Sequence, residues 1–400
     1  LPGISSSTAS KGTIAQTPKM ISPYITWEKV DNANLGFDLM LFKNRLSITA
    51  DLYQRTTRDM IGPAESIPSI SGIASEDRAK VNNATLRNRG WELSVSWNDK
   101  LKCGFSYGVG FNVFNYKAVV TKYNNPEGII YNNHTGLAAN KGYYEGMDLG
   151  EIWGYRADDL FLSNREIDDY LRKVDLTAFK SNDLWRRGDL KYIDTNGDGR
   201  VDGGKGTLSD HGDLQVIGNT TPKYSFGINL NLGYKGFEVS TLLQGVAKRD
   251  FPIAGSNYMF GGNNYNFKEH LDYFSTENPN GYLPRLTGWK DDKDFLVNTG
   301  YNTTRYLLNA AYMRMKNLTV AYTFNKKQLK HIGISNLKVY VTCDNLFTVT
   351  KLPKQFDPET LNQVNMSAGG DAQNTAPGLT SPMKQNGNGM VYPMNRNFVF

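Results

Sequence analysis

The densest run of oxygen-bearing side chains is Asp194-Thr-Asn196-Gly-Asp198-Gly199-Arg200-Val-Asp202. Oxygens fall at positions one, three, five and nine, glycine at six allows a sharp turn, and the Arg200 carbonyl falls at seven. That spacing suits a hard cation such as Ca2+. Three aspartates within nine residues also repel one another unless something positive sits among them. Position twelve departs from the helix–loop–helix calcium pattern: Lys205 stands where a bidentate Glu is needed, and Asp210 or Asp213 would have to substitute. The plainer alternative is an Asx- and Gly-rich turn without metal. A bound ion here would stiffen a long loop and would not catalyse a reaction.

A second set of residues suits recognition. Trp153, Tyr155, Trp185 and Tyr265, with Asn263 and Asn264 beside the last, combine apolar ring faces with amide donors and acceptors. Such a set could stack and hydrogen-bond a sugar, although each ring taken singly, Trp153 and Tyr155 above all, is better read as a loop anchor. Catalytic constellations are weak. Asp158/Asp159 and Asp168/Asp169 read as solvated carboxylates, and no G-x-S-x-G elbow occurs. The glycines do not lead from a strand into a helix as a nucleotide loop would. Two cysteines, Cys103 and Cys343, cannot form a disulfide framework, and four scattered histidines do not suggest a zinc enzyme.

The elements that must carry these residues are strands. Residues 34–42 place Leu35, Phe37, Leu39 and Leu41 on one face, and 45–57, 90–97, 105–113 and 224–232 alternate in the same way. Further strands are predicted at 236–247, 309–324, 336–349 and 391–400, about nine in all. Short helices are expected at 164–178, opened by Asn164, and at 266–274. Connections near 43–44, 98–100 and 233–235 are tight and 325–335 is short. Those at 58–87, 114–222, 248–308 and 350–390 are long. This rhythm fits a transmembrane barrel with short periplasmic turns and long extracellular loops. The apolar face would then meet lipid, and the Ser/Gly/Asn/Thr face would line a polar lumen. The predicted lipid-facing set is Leu35, Leu39, Ile48, Leu93, Val109, Ile228, Leu230 and Val320, with Cys103 and Cys343 sharing the apolar parity.

Composition agrees. Among 400 residues there are 40 Asn, 39 Gly, 23 Tyr and 19 Phe, and only 21% are charged. This mixture favours strands and turns over helices. The net charge of +6 is small for the length and does not suggest nucleic acid. No apolar run is long enough for a membrane-spanning helix.

The stretches WEKVDNANLGFDLMLFKNRLSITADLYQRTTRDM (27–60), NRGWELSVSW (88–97), GDLKYIDTNGDGRVD (188–202), IGNTTPKYSFGINLNLGYKGFEVSTLLQG (217–245), TENPNGYLPRL (276–286), YMRMKNLTVAYTF…GISNLKVYVTCDNLFTVTK (312–351) and YPMNRNFVF (392–400) resemble the C-terminal barrel half of SusC/RagA-type TonB-dependent outer-membrane transporters. EIWGYRADDLF (151–161) also resembles a common segment of that family. The match runs in order from about residue 24, leaving 1–23 as an upstream loop or linker. No plug or TonB-contacting segment is recognisable, so the chain is expected to supply about nine strands of a plugged barrel of around 22.

The resemblance implies a multi-pass outer-membrane importer of oligosaccharides or peptides. A SusD-like surface lipoprotein would act as its lid, and the TonB complex would supply energy through the missing N-terminal part. It implies no enzyme. Two rival readings are a secreted, calcium-stabilised β-domain that binds glycans and a siderophore-type receptor without a lid. The SusC-like blocks at 27–60 and 188–245 argue against the second.

Overall fold

The computed structural model describes residues 21–62, 79–130, 143–157, 159–254, 268–287, 294, 296–325, 329, 333–361 and 394–399. Nine strands form one antiparallel sheet in chain order: β1 (Lys29–Leu41), β2 (Leu46–Gly62), β3 (Val81–Lys100), β4 (Ser106–Lys122), β5 (Lys223–Tyr234), β6 (Phe237–Lys248), β7 (Tyr312–Phe324), β8 (Leu337–Asp344) and β9 (Asn397–Val399). A tenth short strand, Thr348–Thr350, pairs with β7 off this path. It is separated from β8 by Asn345, whose positive φ of 53° breaks the predicted 336–349 strand in two.

The register carries the apolar face from strand to strand. Leu35 opposes Leu52, Leu52 opposes Trp91, and Leu39 opposes Ile48, which opposes Val95. Val95 opposes Phe111, Phe111 opposes Ile228, and Val109 opposes Leu230. Val239 opposes both Leu232 and Val320, which opposes Val341. All eight residues predicted to face lipid lie on this one side, as does Cys343. Cys103 does not: it sits exposed in the turn between β3 and β4. The opposite face aligns Asp38, Thr49, Ser94, Asn112 and Gly227, and Asn231 with Ser240 and Thr319.

On the apolar face Leu35 is 69% and Phe37 57% exposed. A soluble sheet would cover such a face with a second layer, whereas lipid needs no such layer. Tyr224 and Tyr234 mark its two margins on β5. Ten residues separate them, about 33 Å along a strand, or about 25 Å once a barrel tilt is applied. Rings gather at the tight-turn margin, where Phe237 and Tyr322 lie 4.6 Å apart and Phe42 and Trp97 5.8 Å apart.

The turns are sharp for identifiable reasons. Lys235 and Gly236 both have positive φ, as a two-residue hairpin with matching twist requires. A side chain at Gly236 would also meet the Thr323 carbonyl at 2.7 Å. Phe42, Lys43 and Asn44 form a run of three left-handed residues. Inside the wall the Tyr53 hydroxyl occupies the space that a β-carbon at Gly90 would need, an aromatic folded over a strand glycine.

At the other end the long connections do not stay separate. The described residues of 123–222, 249–311 and 351–361 fold into one domain over the ends of the strands. Three short antiparallel pairs knit it: Glu151–Gly154 with Gln215–Asn219, Asp159–Leu160 with Leu190–Lys191, and Asp250–Pro252 with Leu307–Asn309. Its α-helix among the described residues, α1 (Asn164–Leu171), is shorter than predicted. Ser163, not Asn164, is the cap: its hydroxyl accepts the Glu166 amide, and the Glu166 carboxylate accepts the Leu162 amide. The helix expected at 266–274 is only a 3-10 turn over Lys268–Leu271. The predicted 391–400 strand is described only as Asn397–Val399, and the 1–23 segment lies almost wholly outside the described residues.

Candidate functional site: the loop domain at the mouth of the wall

The loop domain holds the buried hydrophobic core cluster of the described residues. Tyr155, Phe179, Tyr192 and Tyr301 stack and abut at 4.3–6.5 Å, and Phe161 and Trp185 extend the cluster at 5.9 Å. Tyr155 is 2% and Trp185 3% exposed, so both pack the core and present no open ring face to a sugar. Trp153 is half-buried; its indole N–H donates to the Tyr144 hydroxyl, which in turn bonds Glu151. Burial is the main reason why the Tyr155 and Tyr192 hydroxyls lie well above the ordinary phenol range. Asn263, Asn264 and Tyr265 lie outside the described residues.

A charged cluster ties two of the loops together. The Lys180 ammonium and Asp189 carboxylate are fully buried and 2.7 Å apart. Asp189 also accepts the Arg285 guanidinium at 2.6 Å, the Asn298 amide at 2.9 Å and the Arg186 backbone N–H at 2.8 Å. Asp294 closes the ring by bonding both Lys180 and Arg285. Burial would raise its carboxyl, but those two cations outweigh burial and hold it below the usual range. A second cluster ties the third loop to the wall. Arg314 on β7 bonds both oxygens of Asp357 at 2.8 and 2.9 Å and Glu359 at 3.0 Å. Arg249 donates to the carbonyls of Thr220, Pro358 and Leu361, one from the first long loop and two from the last. Sequence reasoning missed these groups because their members lie up to 114 residues apart and each side chain alone reads as surface charge.

The Asp194–Asp202 loop is ordered by its own amides. Asp194 accepts Gly197 N–H at 2.6 Å and Gly199 N–H at 2.9 Å, Asn196 accepts Asp198 N–H, and Asp198 accepts Arg200 N–H. Asp213 accepts the amides of Thr195 and Asp202 and so fastens the loop at its base. Positions one, three and five are therefore pre-oriented, and each oxygen keeps a lone pair after accepting one amide. Asp202 is turned to the Arg200 guanidinium at 3.0 Å. Among the described residues no group of three or more His, Cys, Asp or Glu side chains stands close enough to enclose a metal.

This arrangement is a membrane-type wall with a rigid, cross-braced domain at one end and tight turns at the other. A family model described as TonB dependent receptor-like, beta-barrel matches residues 2–346. TonB-dependent receptor P3 of Formosa agariphila is 25% identical over 338 residues, covering 84% of this chain and 31% of the relative. TonB-dependent receptor SusC of Bacteroides thetaiotaomicron is 21% identical over 354 residues, 87% of this chain and 31% of SusC. Among solved structures, the RagAB peptide importer in its open-open state superposes with a TM-score of 0.60 at 21% identity, covering 86% of this chain and 33% of that one. The chain thus spans about a third of the length of the relatives it matches.

Proposed function

The chain belongs to the TonB-dependent receptor β-barrel family of the bacterial outer membrane, and from that premise we propose that it forms the wall and extracellular loops of an importer of the SusC/RagA type. The observation that carries this reading is the two-sided sheet. An uncovered apolar face points outward, a polar face lines the inside, and the long connections condense into one domain at one end. Transport of cargo through the complete receptor, driven by TonB through parts outside this chain, follows from the family. Catalysis does not.

The cargo proposed is an oligosaccharide or a peptide, and the partner a SusD-like surface lipoprotein seated on the loop domain. The peptide alternative is supported by the description of the RagAB structure as a peptide importer. Partner docking is supported by the rigidity of the loop domain and by its exposed Leu162, Leu271 and Leu286. The test is co-purification of the lipoprotein with the full-length receptor, wild type against Leu271→Glu/Leu286→Glu, together with uptake of labelled peptides and oligosaccharides by cells. Reduced co-purification and uptake with normal barrel assembly supports the docking role; full retention of both refutes it.

We propose calcium at the Asp194–Asp202 loop as a separate, structural feature. The pre-oriented oxygens of Asp194, Asn196 and Asp198, with the Arg200 carbonyl, support it; the pairing of Asp202 with Arg200 weighs against a full ligand set. Melting of the wild-type receptor in millimolar calcium should exceed that in chelator, and Asp198→Ala should erase the difference. Identical melting in calcium and chelator refutes this part.

A further inference from the structure

Just beyond the apolar band, on the same outward face, the wall carries three cations that form no ion pair among the described residues. The row above Leu35, Leu52 and Trp91 reads Ala33, Gln54, Arg89 and Lys117 across β1 to β4. The next row places Arg87 between Thr56 and Val119. Like charges directly opposite each other in a sheet are destabilising, and Arg89 directly opposes Lys117. Arg89 donates to the Gln54 amide oxygen at 2.5 Å, a neutral partner. Arg58 and Lys29, one row further out, are already paired with Asp31 and Asp59. Among the described residues no carboxylate forms an ion pair with Arg87, Arg89 or Lys117. They lie on inner strands, with β2 on one side and, above Phe114 where the pairing of β4 with β5 ends, the 147–149 segment on the other. The two carboxylates in the Arg87 row, Asp31 opposite Thr56 and Asp148 opposite Val119, are paired instead with Arg58 and with Lys223. The interior alternates with them: Leu86 packs against the loop core, and Ala118 and Val120 are buried.

The height of this patch fixes what it meets. Trp91 lies one row below Arg89, and its ring is 6.5 Å from that of Tyr224, the aromatic at the loop-side margin of the band. Interfacial aromatics sit at head-group level. The three cations therefore stand beside the head groups of the outer leaflet, spaced about 5 Å across strands and about 7 Å along one. Guanidinium forks match phosphoryl oxygens in geometry as well as charge.

We propose that Arg87, Arg89 and Lys117 form a docking site for the phosphorylated head group of an outer-leaflet glycolipid. This rests on the outer-membrane reading above. The lipid would neutralise an otherwise repulsive row and hold the receptor at a fixed depth.

The experiment is native mass spectrometry of the detergent-purified full-length receptor with added lipid A, dephosphorylated lipid A and inorganic phosphate as separate probes. Wild type should retain lipid A and lose at least tenfold in occupancy with the dephosphorylated form. Arg87→Gln/Arg89→Gln/Lys117→Gln should lower lipid A occupancy at least tenfold. Lys43→Gln/Lys102→Gln, at the opposite end of the wall, should not. Heat-dependent gel mobility checks that the triple variant is folded, and Arg89→Gln alone, expected to lose severalfold, keeps the test open if it is not. Unchanged lipid A occupancy in a folded triple variant overturns the proposal. So does equal retention of the dephosphorylated form, displacement of the lipid by millimolar inorganic phosphate, or loss of a bound protein instead of the lipid. A wild-type receptor that fractionates without detergent would instead overturn the membrane reading itself.

Discussion

Replacing Asp189 with alanine removes the acceptor on which four donors converge: Lys180, Arg285, Asn298 and the Arg186 amide, at 2.6–2.9 Å. The cluster balances Lys180 and Arg285 against Asp189 and Asp294, so the variant leaves the buried Lys180 and the half-buried Arg285 sharing one carboxylate. Removing one partner of a buried pair costs about 3–5 kcal/mol, and each buried donor left without an acceptor adds to the same loss, not independently of it. Because the cluster joins 180–189 to 285–298, the loss falls on the loop domain. Amide exchange in 155–192 and 283–306 should quicken by about a hundredfold or more, while β2, β3 and β4 keep their protection. Hydrogen exchange on the full-length receptor in detergent reads this directly. Lys180→Met combined with Asp189→Leu, which leaves Arg285 and Asp294 paired, should recover much of the protection. Less than a tenfold change for Asp189→Ala would show that the cluster does not hold the two loops together. Equal acceleration in the wall strands would show that wall and loop domain unfold as one unit.

Other outcomes follow from the same structure. Ile228→Arg, at mid-band on β5, should cost about 2–4 kcal/mol of barrel stability and slow assembly, read by heat-dependent gel mobility; normal assembly with unchanged melting contradicts a lipid-facing position. Arg314→Met leaves Asp357 without its cation, while Glu359 keeps Lys316 at 2.9 Å, and should expose 351–361 to protease at a cost of about 3–5 kcal/mol, while β7 stays paired; unchanged cleavage refutes the brace. Acidification should loosen the loop domain before the wall. Asp294 is held below its unfolded value, so its contribution is complete above about pH 4 and declines as pH falls through its depressed native value. Exchange in 283–306 that does not respond between pH 5 and pH 3 would contradict this.

The wall was legible in the sequence because each strand has one apolar and one polar face, and that leaves a period of two in the residues themselves. Strand ends were not. β3 runs from Val81, nine residues before its alternation becomes clear at Gly90, because barrel strands continue past the lipid into polar stretches such as Asn82–Asn83 and Arg87–Arg89. The loop domain was read as open connections, since it has no regular period. Its aromatics occur at irregular intervals, and nothing in the chain distinguishes Tyr155, which is core, from Tyr143, which is 42% exposed. Lys180 and Asp189 looked like surface charge for the same reason: their partners at 285, 294 and 298 are distant in sequence and meet them only when two loops fold together.

Site-directed spin labelling of the full-length receptor in lipid nanodiscs tests the central claim most directly, by comparing single labels at adjacent residues of β5. The account predicts that a label at Ile228 is relaxed by oxygen and shielded from a water-soluble nickel complex, while one at Asn229 shows the reverse. Leu230 should repeat Ile228. Equal access of the nickel complex to all three positions would contradict a wall with lipid on one side and a polar lumen on the other.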